Sequence, residues 1–208
     1  MRLVPAARLA TLDDRALLAR VAASAFYDDP VMSWVFQDPA DRLAKLEDIF
    51  GGLVDDFFPD RGVVQVADDA SVAFWRDPDF DHHPHPSEAT PDPAPAEAPA
   101  AQATNPYTDE ELERLVVLGV AMEVSHPHEV HWYLNVVGTV PDRQGRGLGA
   151  VVLQPVLERC DAQGHRAYLE STNPRNRSLY RRHGFVEADE IPVGDGPPMV
   201  QMWRDPRI

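Results

Sequence analysis

A short loop rich in glycine and arginine carries the clearest chemical signal in the chain. Gly145, Gly147 and Gly149 stand at alternate positions, with Arg143 and Arg146 among them. An apolar run ends at a proline just before the loop, and an amphipathic helix is predicted just after it. Glycine lets a ligand approach the backbone closely, and a helix N-terminus presents free N–H groups with partial positive charge. The pattern therefore predicts a site for a diphosphate group, with the two arginines as additional donors.

Two other phosphate-binding loops fit this sequence less well. The dinucleotide fingerprint requires G-x-G-x-x-G, whereas residues 145–149 read G-x-G-x-G. The P-loop ends in Lys-Ser or Lys-Thr, and neither pair follows here. The structural alternative is a strand-to-helix connection that binds nothing.

The elements that must position this loop follow an alternating pattern. Helical spacing of apolar residues predicts a helix from Leu148 that ends at Gly164, with a kink near Pro155. A strand is predicted over 166–171, and Asn173 followed by proline is typical of a helix start. The other predicted helices cover 11–25, 31–36, 39–58 and 108–119, and the other predicted strands cover 4–9, 63–67, 71–75, 130–140, 185–191 and 199–204.

The composition is that of a globular protein of one domain. The chain has 208 residues, of which 44% are hydrophobic, enough for a substantial core. No apolar run approaches the ~18 residues that span a membrane, and the first ten residues lack the apolar core of a secretory signal. Cys160 is the only cysteine and excludes an internal disulfide. We expect a cytoplasmic protein, without a membrane partner, that is a monomer or homodimer.

The formal net charge of −15 bears on the class of partner. Nucleic-acid binding depends on basic surface, so a nucleic-acid partner is not expected. An acidic surface favours a cationic small molecule as substrate, although global charge steers encounters without defining a site. One segment, 81–106, combines three histidines with proline, alanine and acidic residues. It has too little apolar surface to offset its ordering entropy and is predicted to be a mobile insertion in a single domain spanning 1–208.

Four motifs carry a resemblance to a known family. They read W-Y-L at 132–134, Q-G-R-G-L-G at 144–149, L-E-S at 169–171 and N-P-R-N-x-x-x-Y-x-R-x-G-F at 173–185. Together they resemble the GCN5-related N-acetyltransferase (GNAT) superfamily, and within it the branch of the puromycin N-acetyltransferases. The resemblance covers most of the chain. It implies an α/β fold: a twisted, mixed, mostly antiparallel sheet with helices on both faces and a V-shaped cleft between two central strands.

The resemblance also implies that acetyl-CoA is the acetyl donor. The pantetheine arm is expected on the backbone of the strand before the loop, the diphosphate on the loop, and a further contact from the next helix. The implied contacts are Val137, Gly138, Thr139, Arg143, Gln144, Gly145, Arg146, Gly147, Leu148, Gly149, Ala150, Asn173 and Asn176.

Two residues are candidates for catalysis. Amine acetylation requires a neutral amine and a donor for the leaving thiolate, and free amines titrate near ~10.4. Tyr180 matches the family's tyrosine near the thioester sulfur and is expected to donate a hydrogen bond to the thiolate; the alternative is a packed core aromatic. Glu170, near the end of a strand beside the cleft, is the candidate base; the alternative is a structural carboxylate.

Four residues are candidates for the acceptor pocket. Asp28, with Asp29 beside it, is expected to hold a cationic acceptor, although Asp29 is equally a turn residue before proline. Tyr27, Trp34 and Trp132 are candidates for apolar walls and are otherwise core residues. Histidines at 82, 83 and 85 and at 126, 128 and 131 form two groups, but amine acetylation needs no metal and none is expected.

The leading hypothesis is an acetyl-CoA-dependent N-acetyltransferase in which a small-molecule primary amine attacks the thioester directly. Inactivation of an antibiotic-like amine is one form of it. Acetylation of a protein or peptide amine is a second hypothesis, and a non-catalytic acyl-CoA-binding regulatory module is a third.

Overall fold

The structure is a computed structural model that describes residues 6–58, 62–78 and 105–207. Its strands are β1 Arg8–Leu9, β2 Gly62–Ala67, β3 Ser71–Arg76, β4 His131–Thr139, β5 Arg166–Ser171, β6 Val186–Ile191 and β7 Met199–Arg204. Its α-helices are α1 Arg15–Phe26, α2 Pro30–Val35, α3 Arg42–Phe57, α4 Asp109–Ser125, α5 Leu148–Gln163 and α6 Arg177–Arg182. The predicted mobile insertion lies outside the described residues except for Asn105 and Pro106, which are exposed.

The seven strands form one open sheet in the order β1-β2-β3-β4-β5-β7-β6. Every neighbouring pair is antiparallel except β4 and β5. The parallel pairing of β4 with β5 covers only three residue pairs and ends at Tyr133 opposite Tyr168. Both strands continue beyond that point without pairing to each other, so a gap opens between them. The predicted mixed, mostly antiparallel sheet is confirmed.

A β-bulge interrupts β4 near the point where the gap begins. Phe74 of β3 pairs with Val136, but the next residue, Trp75, pairs with Leu134. Asn135 is thus an extra residue in β4, and such a bulge bends a strand and increases its twist. The bend separates the end of β4 from β5.

Apolar side chains cover both faces of the sheet. One face packs against α1, α2 and α3, and Phe36, Phe57 and Phe74 are fully buried there. The other face packs against α5 and α6, with Leu153 and Phe185 fully buried. Burial of such side chains contributes about 1.5–3 kcal/mol each and holds the helices on the two faces.

Three element boundaries differ from the sequence predictions. α3 begins at Arg42 rather than near 39, because Asp38 accepts a hydrogen bond from the Ala40 N–H at 2.8 Å in a turn. α4 continues through Gly119 to Ser125, and the cost of a mid-helix glycine is only about 1 kcal/mol. α5 runs continuously past Pro155 to its predicted end at Gly164.

Candidate active site

A cavity of about 580 Å³ opens where β4 and β5 diverge. The end of β4, the glycine loop and the start of α5 form one side of it. The end of α1 and the segment from Asn173 to α6 form the other side. The diverging strands therefore leave a cleft into which both the loop and α6 point.

Most of the predicted cofactor residues line this cavity. They are Val137, Gly138, Thr139, Arg143, Gln144, Gly145, Gly147, Leu148, Gly149, Ala150, Asn173 and Asn176. Arg146 is not among the lining residues; it is exposed, and its guanidinium donates to the Asp142 carbonyl at 3.0 Å.

The glycines of the loop adopt backbone conformations that other residues avoid. Gly145 has φ 71° and Gly147 has φ 83°, both in the left-handed region. Gly147 caps the N-terminus of α5, so the free N–H groups of the first helical turn face the cavity. A Cβ atom at either glycine would meet nothing within 4 Å. The loop thus offers donors and open space to an anion.

The end of β4 is fixed by contacts with both neighbouring layers. The Ser71 hydroxyl donates to the Gly138 carbonyl at 3.1 Å and lies 2.8 Å from the Thr139 hydroxyl. The Gln144 side-chain amide donates to the Thr139 carbonyl at 3.1 Å. A Cβ atom at Gly138 would lie 2.6 Å from the Ala25 side chain, so only glycine allows α1 this close to β4.

Arg143 lines the cavity but already has a partner. Its guanidinium forms an ion pair with Asp68, in the turn between β2 and β3. Any anion in the cavity would therefore share this arginine with Asp68, which weakens the arginine's predicted role as an independent phosphate donor.

Tyr180 is buried and lines the cavity from α6. Burial raises the pKa of its phenol, and the nearby Asp29 carboxylate raises it further. A phenol with a raised pKa keeps its proton at neutral and mildly alkaline pH. Tyr180 is thus suited to donate a hydrogen bond and unsuited to release a proton.

Asp29 is a buried carboxylate in the same cavity. It caps α2 by accepting hydrogen bonds from the Val31 and Met32 N–H groups, at 3.0 and 3.3 Å. The Thr172 hydroxyl donates to its other oxygen at 2.6 Å. Burial raises the pKa of Asp29, while these hydrogen bonds oppose the increase. Asp28, its neighbour, is exposed and also lines the cavity.

Glu170 lies next to the cavity without lining it. Its side chain is 2% exposed and sits two residues beyond the last β4–β5 pair. Burial raises the pKa of the phenols of Tyr133 and Tyr168, and the adjacent Glu170 carboxylate raises it further. The Oε1 atom of Glu170 accepts no hydrogen bond from the described residues.

The three predicted aromatic wall residues lie outside the cavity lining. Tyr27 donates from its hydroxyl to the Pro39 carbonyl at 3.0 Å. Trp34 donates from Nε1 to Asp195 at 3.1 Å, and its ring packs on Gly196. Trp132 is buried in the core on the α5 side. Their role in binding an acceptor stays a prediction.

Two residues near the cavity carried no signal in the sequence. Ser71 and Thr172 hold the end of β4 and Asp29, respectively, through partners far away in the chain. A serine at a strand start and a threonine after a strand are too common to indicate such contacts. Only the fold brings them to the site.

Searches for other kinds of site gave no candidate. Across the described residues, no group of three or more histidine, cysteine or acidic side chains is arranged to hold a metal ion. Histidines 82, 83 and 85 lie outside those residues. In the described part of the chain, no helix is both long and apolar enough to cross a membrane.

Comparisons with known proteins agree with this geometry. A sequence profile of the acetyltransferase (GNAT) family matches residues 64–185. An uncharacterized N-acetyltransferase of Schizosaccharomyces pombe is 25% identical over an alignment of 208 residues, covering 97% of this chain and 83% of the relative.

Solved structures extend the likeness to nearly the whole chain. One, described as histone acetyltransferase HPA2 and related acetyltransferase from Corynebacterium glutamicum, is 26% identical with a TM-score of 0.67, covering 99% of this chain and 98% of that one. A polyamine N-acetyltransferase of Drosophila melanogaster shares the fold, with a TM-score of 0.61 at 13% identity, covering 97% of this chain and 100% of that one. The profile covers more than half of the chain, and the chain therefore belongs to the acetyltransferase (GNAT) family and is an N-acetyltransferase.

Proposed function

We propose that the protein transfers an acetyl group from acetyl-CoA to the primary amine of a small, cationic molecule. The observation that supports this most is the cavity, in which the glycine loop, the phenol of Tyr180 and the buried carboxylate of Asp29 face one space. An anion-binding loop suits the coenzyme's diphosphate. A carboxylate without a basic partner suits an ammonium group.

The residues present fit the coenzyme. The N–H groups at the start of α5 are free to bind a diphosphate, and the glycines leave room for it. The backbone of β4 from Val137 to Thr139 faces the gap, where an extended, amide-containing arm can hydrogen-bond as an added strand would. Acetyl-CoA supplies an activated thioester, and the rest of the chemistry depends on the protein's own groups.

Tyr180 and Glu170 are the proposed catalytic residues. Tyr180 donates a hydrogen bond to the thiolate that leaves when the amine attacks. Glu170, at the apex of the gap, accepts the proton that the ammonium must lose before the attack, through the polar groups between it and the cavity. Asp28 and Asp29 attract and orient the ammonium. Trp34, at the contact between α2 and the β6–β7 loop, is proposed to bound the acceptor entrance.

The acceptor is the least determined part of the proposal. The branch of puromycin N-acetyltransferases is a hypothesis that rests on the sequence motifs, and it makes drug inactivation one form of the activity. A protein or peptide amine is the second candidate, and the relative described as a histone acetyltransferase favours it. The regulatory alternative predicts coenzyme binding without turnover. We expect a cytoplasmic protein, because the single, buried Cys160 suits a reducing compartment.

The first experiment is an acceptor screen. Purified protein is incubated with acetyl-CoA and spermidine, puromycin, an aminoglycoside or a lysine-rich peptide, and free thiol is measured. Thiol release with a small amine, together with the acetylated product by mass spectrometry, supports the proposal. Release with the peptide alone supports the protein acceptor instead. Tight binding of acetyl-CoA without release from any amine contradicts the proposal and favours the regulatory alternative.

A further inference from the structure

We propose that His126 acts as a positioning residue for Glu170, receiving the proton that this carboxylate takes from the acceptor and passing it to solvent. The inference rests on the proposed function, because it assigns the exit route of the amine proton. It concerns a residue that no motif of the chain indicates.

The position of Glu170 creates the need for such a partner. Its carboxylate is buried at the apex of the gap, and a buried charge is costly unless it is paired. The side chains around it are the phenols of Tyr133 and Tyr168 and the imidazole of His126. His126 Nδ1 lies 3.7 Å from Glu170 Oε1. Among the described residues, it is the one group within 4 Å of this carboxylate that can carry a positive charge.

His126 is held in place by its surroundings. It follows α4 directly, and the Gln201 side chain of β7 donates to the Ser125 carbonyl at 2.7 Å, which fixes the end of the helix. The ring centroid lies 4.8 Å from that of Tyr133 and 5.6 Å from that of Tyr168, edge to face in both cases. The ring is therefore fixed toward Glu170 by packing on two strands.

His126 also reaches solvent, which Glu170 does not. The His126 side chain is 23% exposed, against 2% for Glu170. On the cavity side, Thr172 lies two residues after Glu170 on the same side of the chain and donates to Asp29. A row of polar side chains thus runs from Asp29 in the cavity through Thr172 and Glu170 to His126 at the surface.

The proton transfers balance along this row. The ammonium gives a proton to the Glu170 carboxylate and becomes the attacking neutral amine. The resulting carboxylic acid gives the proton to the imidazole, which restores the carboxylate next to an imidazolium ion. The imidazolium then gives a proton to water or buffer. Each turnover therefore releases one proton at the surface and returns both side chains to their starting states.

The other groups facing His126 do not compete for this proton. The raised pKa values keep the phenols of Tyr133 and Tyr168 neutral. The His131 ring lies 5.1 Å away, and its Nδ1 contacts the Glu129 carbonyl. Gln201 and Trp203 of β7 carry no charge, and the Arg166 guanidinium lies on the Trp203 ring, 4.1 Å from its centroid.

Substitutions at position 126 separate packing from proton transfer. His126→Phe keeps an aromatic ring against the two tyrosines, whereas His126→Ala leaves a space that free imidazole can enter. We expect both variants to lower kcat by about tenfold or more, with an unchanged KM for acetyl-CoA, in assays with spermidine or another amine found by the screen. Added imidazole should restore His126→Ala and not His126→Phe. His128→Ala, at an exposed position on the same loop, is the matched control.

A spectroscopic measurement tests the pairing without an acceptor. In protein labelled with ¹³C at glutamate carboxyl carbons, the Glu170 signal should shift as the His126 ring gains a proton, and this shift should be absent in His126→Phe. Glu170→Gln identifies the signal. A Glu170 signal that does not respond to His126 overturns the inference, as does wild-type kcat in His126→Phe. If no amine is acetylated, the proposed function fails, whereas this measurement still decides whether the two residues are coupled.

Discussion

Tyr180 and Asp29 face the same cavity, and each affects the ionisation of the other. Burial and the neighbouring carboxylate both raise the pKa of Tyr180, and burial raises the pKa of Asp29. An ammonium group between them would be attracted to Asp29 and would leave the phenol free to donate to sulfur. The arrangement therefore assigns the two residues to different parts of one reaction.

Replacing Tyr180 with phenylalanine tests its role as donor. We expect kcat to fall by about 100-fold, while the Kd for acetyl-CoA, measured by calorimetry, changes little. Because the pKa of Tyr180 is raised, its ionisation should cause no loss of rate up to pH ~10, the ordinary pKa of a phenol. Tyr107→Phe removes a hydroxyl that bonds to Asp48 outside the cavity and is the control. An unchanged kcat in Tyr180→Phe would mean that the thiolate has another donor.

Residue roles were predictable from sequence only where a motif carries them. The glycine loop and Tyr180 belong to one continuous pattern, and the structure places both at the cavity. Asp29 could be identified before Pro30 as a turn residue or an acceptor ligand. Its bond to Thr172, 143 residues away in the chain, arises from the fold and leaves no local trace.

At the scale of elements, α5 is bounded by two glycines in the same backbone conformation. Gly147 has φ 83° at its N-terminus and Gly164 has φ 71° at its C-terminus. A Cβ atom at either position would meet nothing within 4 Å. The two positions thus impose a similar conformational demand, but only Gly147 lines the cavity.

This symmetry allows a paired experiment on the loop. Gly147→Ala and Gly164→Ala should each lower the free energy of unfolding by about 1–2 kcal/mol, the cost of a left-handed L-residue. Only Gly147→Ala should also weaken acetyl-CoA binding, by about tenfold or more, or 1.4 kcal/mol. Urea denaturation and calorimetry measure the two effects. Equal affinity in both variants would contradict the diphosphate assignment.

Element types were more predictable than element ends. The two caps of the helix after Asn173 and the end of α5 at Gly164 follow from local chemistry, and the structure has them. α4 extends six residues past its predicted end at Gly119, because packing against the rest of the fold outweighs the local cost of glycine. The start of α3 is set by Arg42, which donates to the Phe36 carbonyl at 2.6 Å.

At the scale of the whole molecule, one buried ion pair joins the two parts of the chain on either side of residues 79–104. Lys45 of α3 donates to both carboxylate oxygens of Glu111 of α4, at 2.7 and 2.8 Å. Both side chains are almost fully buried. Burial alone would raise the pKa of Glu111, but hydrogen bonds from Lys45 and Thr108 lower it on balance.

Breaking this pair should cost more than removing it. Lys45→Met leaves an unpaired buried carboxylate and should destabilise the fold by about 3–5 kcal/mol. Lys45→Met combined with Glu111→Gln should recover much of the loss, because glutamine keeps the capping box with Thr108. Since the pKa of Glu111 is lowered in the fold, the contribution of the pair should be present above pH ~4.5 and lost as the pH falls and Glu111 protonates. Urea denaturation of the single and double variants measures both effects, and a stable Lys45→Met would contradict them.

The short pairing between β4 and β5 has a consequence for solvent exchange. Beyond Tyr133 and Tyr168, the backbone amides that face the gap have no partner strand, although they lie inside the sheet. Amides without a hydrogen bond exchange their protons with water quickly, even when the surrounding strands are protected. A ligand that bridges the gap would slow exchange at 135–139, while the distant β1–β2 pair kept its rates. The sheet thus contains its own reporter of occupancy, which deuterium uptake can measure for any ligand, including one that the protein binds but does not turn over.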